Sequence, residues 1–302
     1  MAELNVEFKT PFTDEEKRAM ILRSEKRIIA QLKAPASAIL TMKHPRVVLV
    51  DGPTCSGKSG ISMLLKQMLE SEGALVRIFD LSSFSRNRAE YLDECKKRGR
   101  KIDLSSPDAL DLDYFEECIS LILSEQTALM PIYDSGIGER CGVIPFTLRP
   151  DQVLIIRGKG MLEHRIKSLV KTPFLALYVD ANSSYESNLG RFSGSDLRFA
   201  RRFVRDGKRT DLSPEQTYSV LEGEKAKELS KRAEDHVFDF MVDTTSEYEP
   251  MILKKDIENV LGRVKKSSRI YSISKKFLLR FSEFPEADRD LLPQDSFYRT
   301  YL

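Results

Sequence analysis

The spacing of apolar positions changes along the chain, and each change marks an element. Over residues 13–33, Ile21, Leu22, Ile28, Ile29 and Leu32 form one face of a helix, with Lys17, Arg18, Arg23, Lys26 and Arg27 on the other. Thr13 with Glu16 fits a capping box at its start, and Pro35, within Ala34 to Ser37, is expected to end it. Arg46–Asp51 (RVVLVD) reads as a buried strand, followed by a glycine-rich turn and a helix lined by Ile61, Leu64, Leu65, Met68 and Leu69, which Gly73 stops. A second strand is predicted near 74–81, a helix over 107–125 with Leu110, Phe115, Ile119 and Leu123 inward, and strands at 129–133, 152–157 and 174–179. Helices over 183–206 and 214–235, a short strand at 237–242 and a helix over 250–266 complete the series. Strands alternating with helices, several strands apolar throughout, predict an α/β fold whose parallel sheet is covered on both faces.

The segment KKSSRIYSISKKFLLRF mixes basic residues with Ile270, Tyr271, Ile273, Phe277, Leu278 and Phe281. It reads as an appendage packed on the core, with an interaction or lipid-facing element as the alternative, and residues 283–302 read as irregular. There is no internal repeat. The expected organisation is an N-terminal helical extension (1–44), a central α/β domain (45–245) and a C-terminal helix and tail (246–302).

Composition narrows the partners. The chain has 302 residues, with 48 Lys plus Arg against 46 Asp plus Glu, a net charge of +2. That balance argues against a nucleic-acid coat and against an acidic tail protein. No apolar run reaches the ~18–20 residues of a membrane span. The N-terminus, MAELNVEFKT, lacks a signal-peptide pattern. Cys55, Cys95, Cys118 and Cys141 are scattered without a CxxC pair, so free thiols in a reducing, cytoplasmic setting are expected, and no zinc. A homo-oligomer is left open.

The first chemistry lies in Gly52-Pro53-Thr54-Cys55-Ser56-Gly57-Lys58-Ser59, a complete G-x-x-x-x-G-K-[ST] motif between a buried strand and a helix. Gly52 and Gly57 let the backbone turn inward. Successive N–H groups and the helix N-terminus then face phosphates. Lys58 would bridge the β- and γ-phosphates, and Ser59 would offer its hydroxyl to Mg²⁺. The guanine motif NKxD is absent, which lowers a GTPase reading.

From this motif to about residue 245 the chain resembles the uridine kinase and phosphoribulokinase family. The likeness is carried by the motif itself and by Asp103-Leu-Ser-Ser-Pro-Asp-Ala-Leu-Asp111, similar to "D-H-P-D-A-F-D". It continues in Met130-Pro-Ile-Tyr-Asp134, similar to "P-x-Y-D", and in Val153–Gly158 with Leu177–Asp180, similar to two further strands. Arg201-Arg-Phe-Val-Arg-Asp206 is similar to the "R-R-x-x-R-D" lid helix. The resemblance implies a nucleoside-monophosphate-kinase-like P-loop fold, ATP as donor with Mg²⁺, and a hydroxyl of a small molecule as acceptor. It implies that Arg202 and Arg205, at i and i+3 on one helix face, clamp the donor phosphates. The family's further basic pair is shortened to Lys208-Arg-Thr-Asp211, so that Arg209 stands for it. It also implies that Asp103 and Asp108 touch the acceptor's hydroxyls, although Asp108 and Asp111 read equally well as helix-opening acids. Tyr133 and Asp134 sit at a strand's C-terminal end, where ligands of open α/β sheets collect, and are alternatively turn residues.

Three departures stand out. The family's base, an aspartate after strand two, falls on Ser82, while Asp80 lies two residues earlier on the same side of the strand. The acid of "V-x-x-x-E-G" is Arg157, expected to contact a phosphate or an acidic neighbour. The nucleoside-binding histidine after "Y-D" is replaced by Ser135-Gly-Ile-Gly138, which argues against uridine as substrate. The expected function is ATP-dependent phosphorylation of a nucleoside- or sugar-like hydroxyl, with Lys58, Arg202 and Arg205 on the transferring group and Asp80 as base. A nucleotide-binding regulator without turnover, and a kinase acting on protein or nucleic acid, stay open.

Overall fold

The computed structural model describes residues 3–4, 13–104, 106–185, 191–209, 217, 237–267, 271–272, 275, 279–281, 284–294 and 296–301. Helix α1 (Asp14–Thr41) precedes strand β1 (Arg46–Asp51), helix α2 (Lys58–Ser71) and strand β2 (Val76–Asp80). Helices α3 (Arg88–Lys97) and α4 (Leu112–Leu123), strands β3 (Ala128–Asp134) and β4 (Glu139–Phe146), strand β5 (Val153–Arg157) and the short α5 (His164–Lys167) follow. Strand β6 (Phe174–Asp180), helix α6 (Gly194–Arg209), strand β7 (Phe240–Asp243), helix α7 (Glu249–Leu261) and the short α8 (Phe297–Tyr301) complete the named elements. The predicted helix over 214–235 lies outside the described residues, Thr217 excepted.

The main sheet is parallel, with order β2–β5–β1–β6–β7. Alternation along β1 divides the core. Val47 and Leu49 face Phe115, Ile119 and Ile122 of α4, while Val48 and Val50 face Ile28 and Leu32 of α1 and Ile61 and Leu65 of α2. A third cluster joins α1, α6, α7 and the C-terminal segment through Met20, Val204, Ile252, Phe281 and Tyr298. The predicted parallel sheet with helices on both faces is therefore present.

Several boundaries differ from the sequence reading, among them the helix expected from 183, which begins at Gly194. Helix α1 has its capping box at Thr13 but runs through Pro35 to Thr41. A proline removes one helical hydrogen bond, and burial of Pro35, Ala36 and Ile39 against the sheet layer offsets it. The strand at 129–133 is not in the parallel sheet: β3 pairs antiparallel with β4 as a separate hairpin. Pro131 has no N–H for a second ladder, which suits a two-stranded edge. The helix expected over 107–125 divides into a 3₁₀ turn, Pro107–Ala109, and α4, which Asp111 caps by accepting from Tyr114 N–H at 3.2 Å. The stretch 283–302 carries a 3₁₀ turn (Arg289–Leu291) and α8, with Phe284, Leu292, Phe297 and Tyr298 buried. Among the described residues no helix is long and apolar enough to cross a membrane.

Candidate active site

The central strand β1 delivers the glycine-rich loop. Its last residue, Asp51, is buried and its carboxylate accepts from the N–H groups of Gly52 (2.6 Å), Gly160 (2.8 Å) and Leu162 (2.9 Å). One side chain thus fixes the start of the loop to the turn after β5. Gly52 has φ +151°, and a Cβ there would lie 1.9 Å from the Val179 carbonyl oxygen, so only glycine fits. Lys58 folds back over the loop, with Nζ donating to the carbonyls of Gly52 (2.6 Å) and Pro53 (2.8 Å). Burial pushes its ammonium down to about 8, against the pull of Asp51. Ser59 is exposed in the first turn of α2. Among the described residues the buried Ser56 Oγ has no hydrogen-bond partner.

The outer wall of the loop comes from α6 and the turn after β7. Helix α6 buries Leu197, Ala200, Phe203 and Val204 on one side, and Arg201 follows them inward to 0% exposure. Arg201 donates to both oxygens of buried Glu249 (2.6 and 2.7 Å), to Thr244 O and Oγ1, and to the Cys55 carbonyl at 3.2 Å. Thr244 Oγ1 in turn donates to the Ser56 carbonyl at 2.6 Å. Arg198 pairs with Asp180 at the end of β6. Arg202 and Arg205 both pair with Asp206, at 3.0 and 2.9 Å, and their charge reaches Cys55, whose thiol is pushed up by burial against their pull. The side chain of Arg209 lies outside the described residues.

On the opposite flank, β2 and β5 run in register with Asp80 beside Arg157. Arg157 grips both oxygens of Asp80, Nε to Oδ1 at 2.7 Å and Nη2 to Oδ2 at 2.8 Å, and reaches the Ser59 carbonyl at 3.3 Å through Nη1. The acidic neighbour expected for Arg157 is Asp80. Ser82 is exposed in the 3₁₀ turn Leu81–Phe84.

Beyond this turn lies a cleft of about 450 Å³, lined by basic Arg86, Arg98, Arg100, Lys101 and Arg165 and by acidic Glu94, Asp103, Asp108, Asp111 and Asp113. Asp108 pairs with Arg165, Glu94 with Arg86 and Arg98, and Asp111 with Arg140. Asp103 and Asp108 both line this cleft. Tyr133 and Asp134 do not line it. Asp134 closes the β3–β4 hairpin, accepting from Gly136 N–H at 2.8 Å.

These elements place a glycine-rich phosphate loop at the head of the central strand, with arginines on one flank and a carboxylate on the other. The chain has an α/β P-loop fold, a parallel sheet with helices on both faces. It is similar to a structure provisionally assigned as a fructose transport system kinase from Silicibacter sp., with TM-score 0.51 and 17% identity over 70% of this chain and 98% of that one. It also matches a provisionally assigned uridine kinase from Bacillus stearothermophilus (TM-score 0.45, 15% identity, 71% of this chain and 98% of that one). A third match is D-glycerate 3-kinase from Cryptococcus neoformans (TM-score 0.43, 17% identity, 74% and 92%). No family model matches the chain. The first of these, at a TM-score of 0.51, agrees with the α/β P-loop fold expected from the sequence.

Sequence reasoning missed Asp51, Arg201, Thr244 and Glu249. For Asp51 a signal existed, an acid ending an apolar strand immediately before Gly52. Glu249 carries none, because its partner Arg201 is 48 residues away in the chain.

Proposed function

We propose that this chain is an ATP- and Mg²⁺-dependent phosphotransferase acting on a hydroxyl of a small nucleoside- or sugar-like metabolite. The observation that carries the reading is the link Ser59–Arg157–Asp80, which holds a carboxylate within one side chain's span of the phosphate loop. The loop fits a polyphosphate: Gly52 has no room for a side chain, and Ser56 Oγ is buried in the loop without a partner among the described residues. Ser59 would hold Mg²⁺, which supplies charge neutralisation on the phosphates. Lys58 exchanges its two carbonyl contacts for donor phosphate oxygens, which hold its ammonium in the charged form. Arg202 and Arg205 face the charge that spreads over the moving group. Asp80 accepts the acceptor's hydroxyl proton as the oxygen–phosphorus bond forms and the bond to ADP breaks. Asp103 and Asp108 hold the acceptor's other hydroxyls.

The test is to incubate the chain with ATP, Mg²⁺ and a library of hydroxylated metabolites, and to look for ADP together with a phosphorylated product. A second reading, a nucleotide-binding regulator, draws on the same pair: both oxygens of Asp80 are engaged by Arg157. Nucleotide binding with no product from any acceptor would establish it.

A further inference from the structure

We propose that Phe297, near the C-terminus, is a positioning residue of the nucleotide site, acting on Gly57. The inference rests on the reading of Gly52–Ser59 as the phosphate cradle. Gly57 stands at φ +98° at the head of α2, one residue before Lys58. The Phe297 ring lies so close that a Cβ on Gly57 would come within 2.5 Å of its Cζ and 3.3 Å of its Cε2. The ring is fully buried and shares its cluster with Ile28, Val48, Ile61 and Leu65, so it presses on the loop from the core side.

The segment around Phe297 is anchored by other parts of the chain. Phe297 N–H donates to Glu25 Oε2 of α1 at 2.9 Å, and Glu25 also accepts from the Tyr248 hydroxyl. Arg299 donates to the carbonyls of Arg289 (2.9 Å) and Leu292 (3.2 Å), and Arg289 pairs with Asp256 of α7. Elements from both termini therefore meet behind Gly57, while Arg201 and Thr244 hold the carbonyls of Cys55 and Ser56. A glycine at positive φ has wide backbone freedom, and phosphate-binding amides work only when held to about 0.5 Å. The ring removes that freedom without touching the nucleotide.

The test uses the full chain with Phe297→Ala, Phe297→Leu and, as control, Leu292→Ala. Leu292 is buried in the segment but in the separate cluster with Phe281 and Tyr298. Affinity for ADP and for adenosine is measured by calorimetry well below each variant's melting temperature, and hydrogen exchange of amides 55–59 is followed without nucleotide. Phe297→Ala is expected to weaken ADP by about 10- to 100-fold, the cost of misplacing a binding geometry, to leave adenosine unchanged and to speed exchange in the loop. Phe297→Leu gives a smaller loss of the same kind and supplies the result if the alanine variant does not fold. Leu292→Ala lowers the melting temperature and leaves ADP affinity alone. Wild-type ADP affinity and exchange in the Phe297 variants, or an equal loss of ADP in Leu292→Ala, overturns the proposal. If the wild type binds no ADP, the phosphate-cradle reading fails by itself, and loop exchange unchanged by Phe297→Ala or Phe297→Leu then overturns the wedge separately.

Discussion

Asp51 and Lys58 of the phosphate loop bind main-chain atoms, whereas Arg86, Glu94, Arg98, Asp108 and Arg165 of the cleft beyond β2 and β5 pair with one another. Asp51 holds three amides, Lys58 two carbonyls and Arg201 the Cys55 carbonyl. In the cleft, Arg165 meets Asp108, Glu94 meets Arg86 and Arg98, and most of these groups are well exposed. Main-chain partners are fixed by the fold, so the loop is preorganised before any ligand arrives. Exposed ion pairs are worth only about 0–1 kcal/mol, so the cleft can exchange them for a ligand at little cost. This difference suits the roles proposed above, donor binding at the loop and acceptor recognition in the cleft.

The strongest challenge to this contrast is Lys58→Ala. Transfer should be abolished and ATP binding weakened, while the melting temperature stays close to wild type, because Lys58 bonds only to loop carbonyls and belongs to no apolar cluster. Turnover assays and calorimetry check it, and a wild-type rate would remove the loop as the site of chemistry. Asp80→Asn comes next: turnover should fall by about 10²–10⁴-fold, the usual worth of a general base, with ATP affinity nearly unchanged. Full activity would move the proton acceptor into the cleft, to Asp103 or Asp108.

The lowered ammonium of Lys58 gives a pH test of the loop alone. Free chain loses this proton above about pH 8, whereas bound phosphate retains it. ATP affinity should therefore be level up to that pH and then fall by up to about tenfold per unit as binding takes up a proton. Lacking nucleotide, the fold should gain stability between about pH 8 and 10.5, where the unfolded chain keeps a proton that the folded chain has released. A flat affinity profile through pH 9 would show that Lys58 does not meet phosphate. The smallest effect belongs to the cleft. Asp108→Asn should raise the acceptor KM by about 3- to 10-fold, the loss of one charged hydrogen bond, and leave the KM for ATP unchanged. An equal change in both would erase the division between the two regions.

Much of this architecture is local and therefore legible in the chain. RVVLVD followed by Gly52–Ser59 specifies a buried strand, a glycine turn and a helix within 26 residues, and β1 and α2 begin where that pattern places them. The capping box at Thr13 and the apolar face of α2 are equally local. The hairpin was half legible: β3 is apolar enough to read as a strand, but β4 is exposed along most of its length and has no inward face to mark it. Pro35 misled for a related reason, since its local cost is offset by burial that only the packed sheet provides.

Residue types and short-range spacing determined the P-loop, the sheet class and the presence of Arg157 where the resembling family has an acid, because each is read from neighbours within a few positions. Tertiary structure alone decided what those residues touch. Register between β2 and β5 set Arg157 on Asp80, the fold of α6 onto α7 set Arg201 on Glu249, and the return of the C-terminus set Phe297 on Gly57. Such contacts join positions tens to hundreds of residues apart. They exist only where burial of the intervening apolar faces offsets the entropy of closing those loops, and no local pattern records that balance.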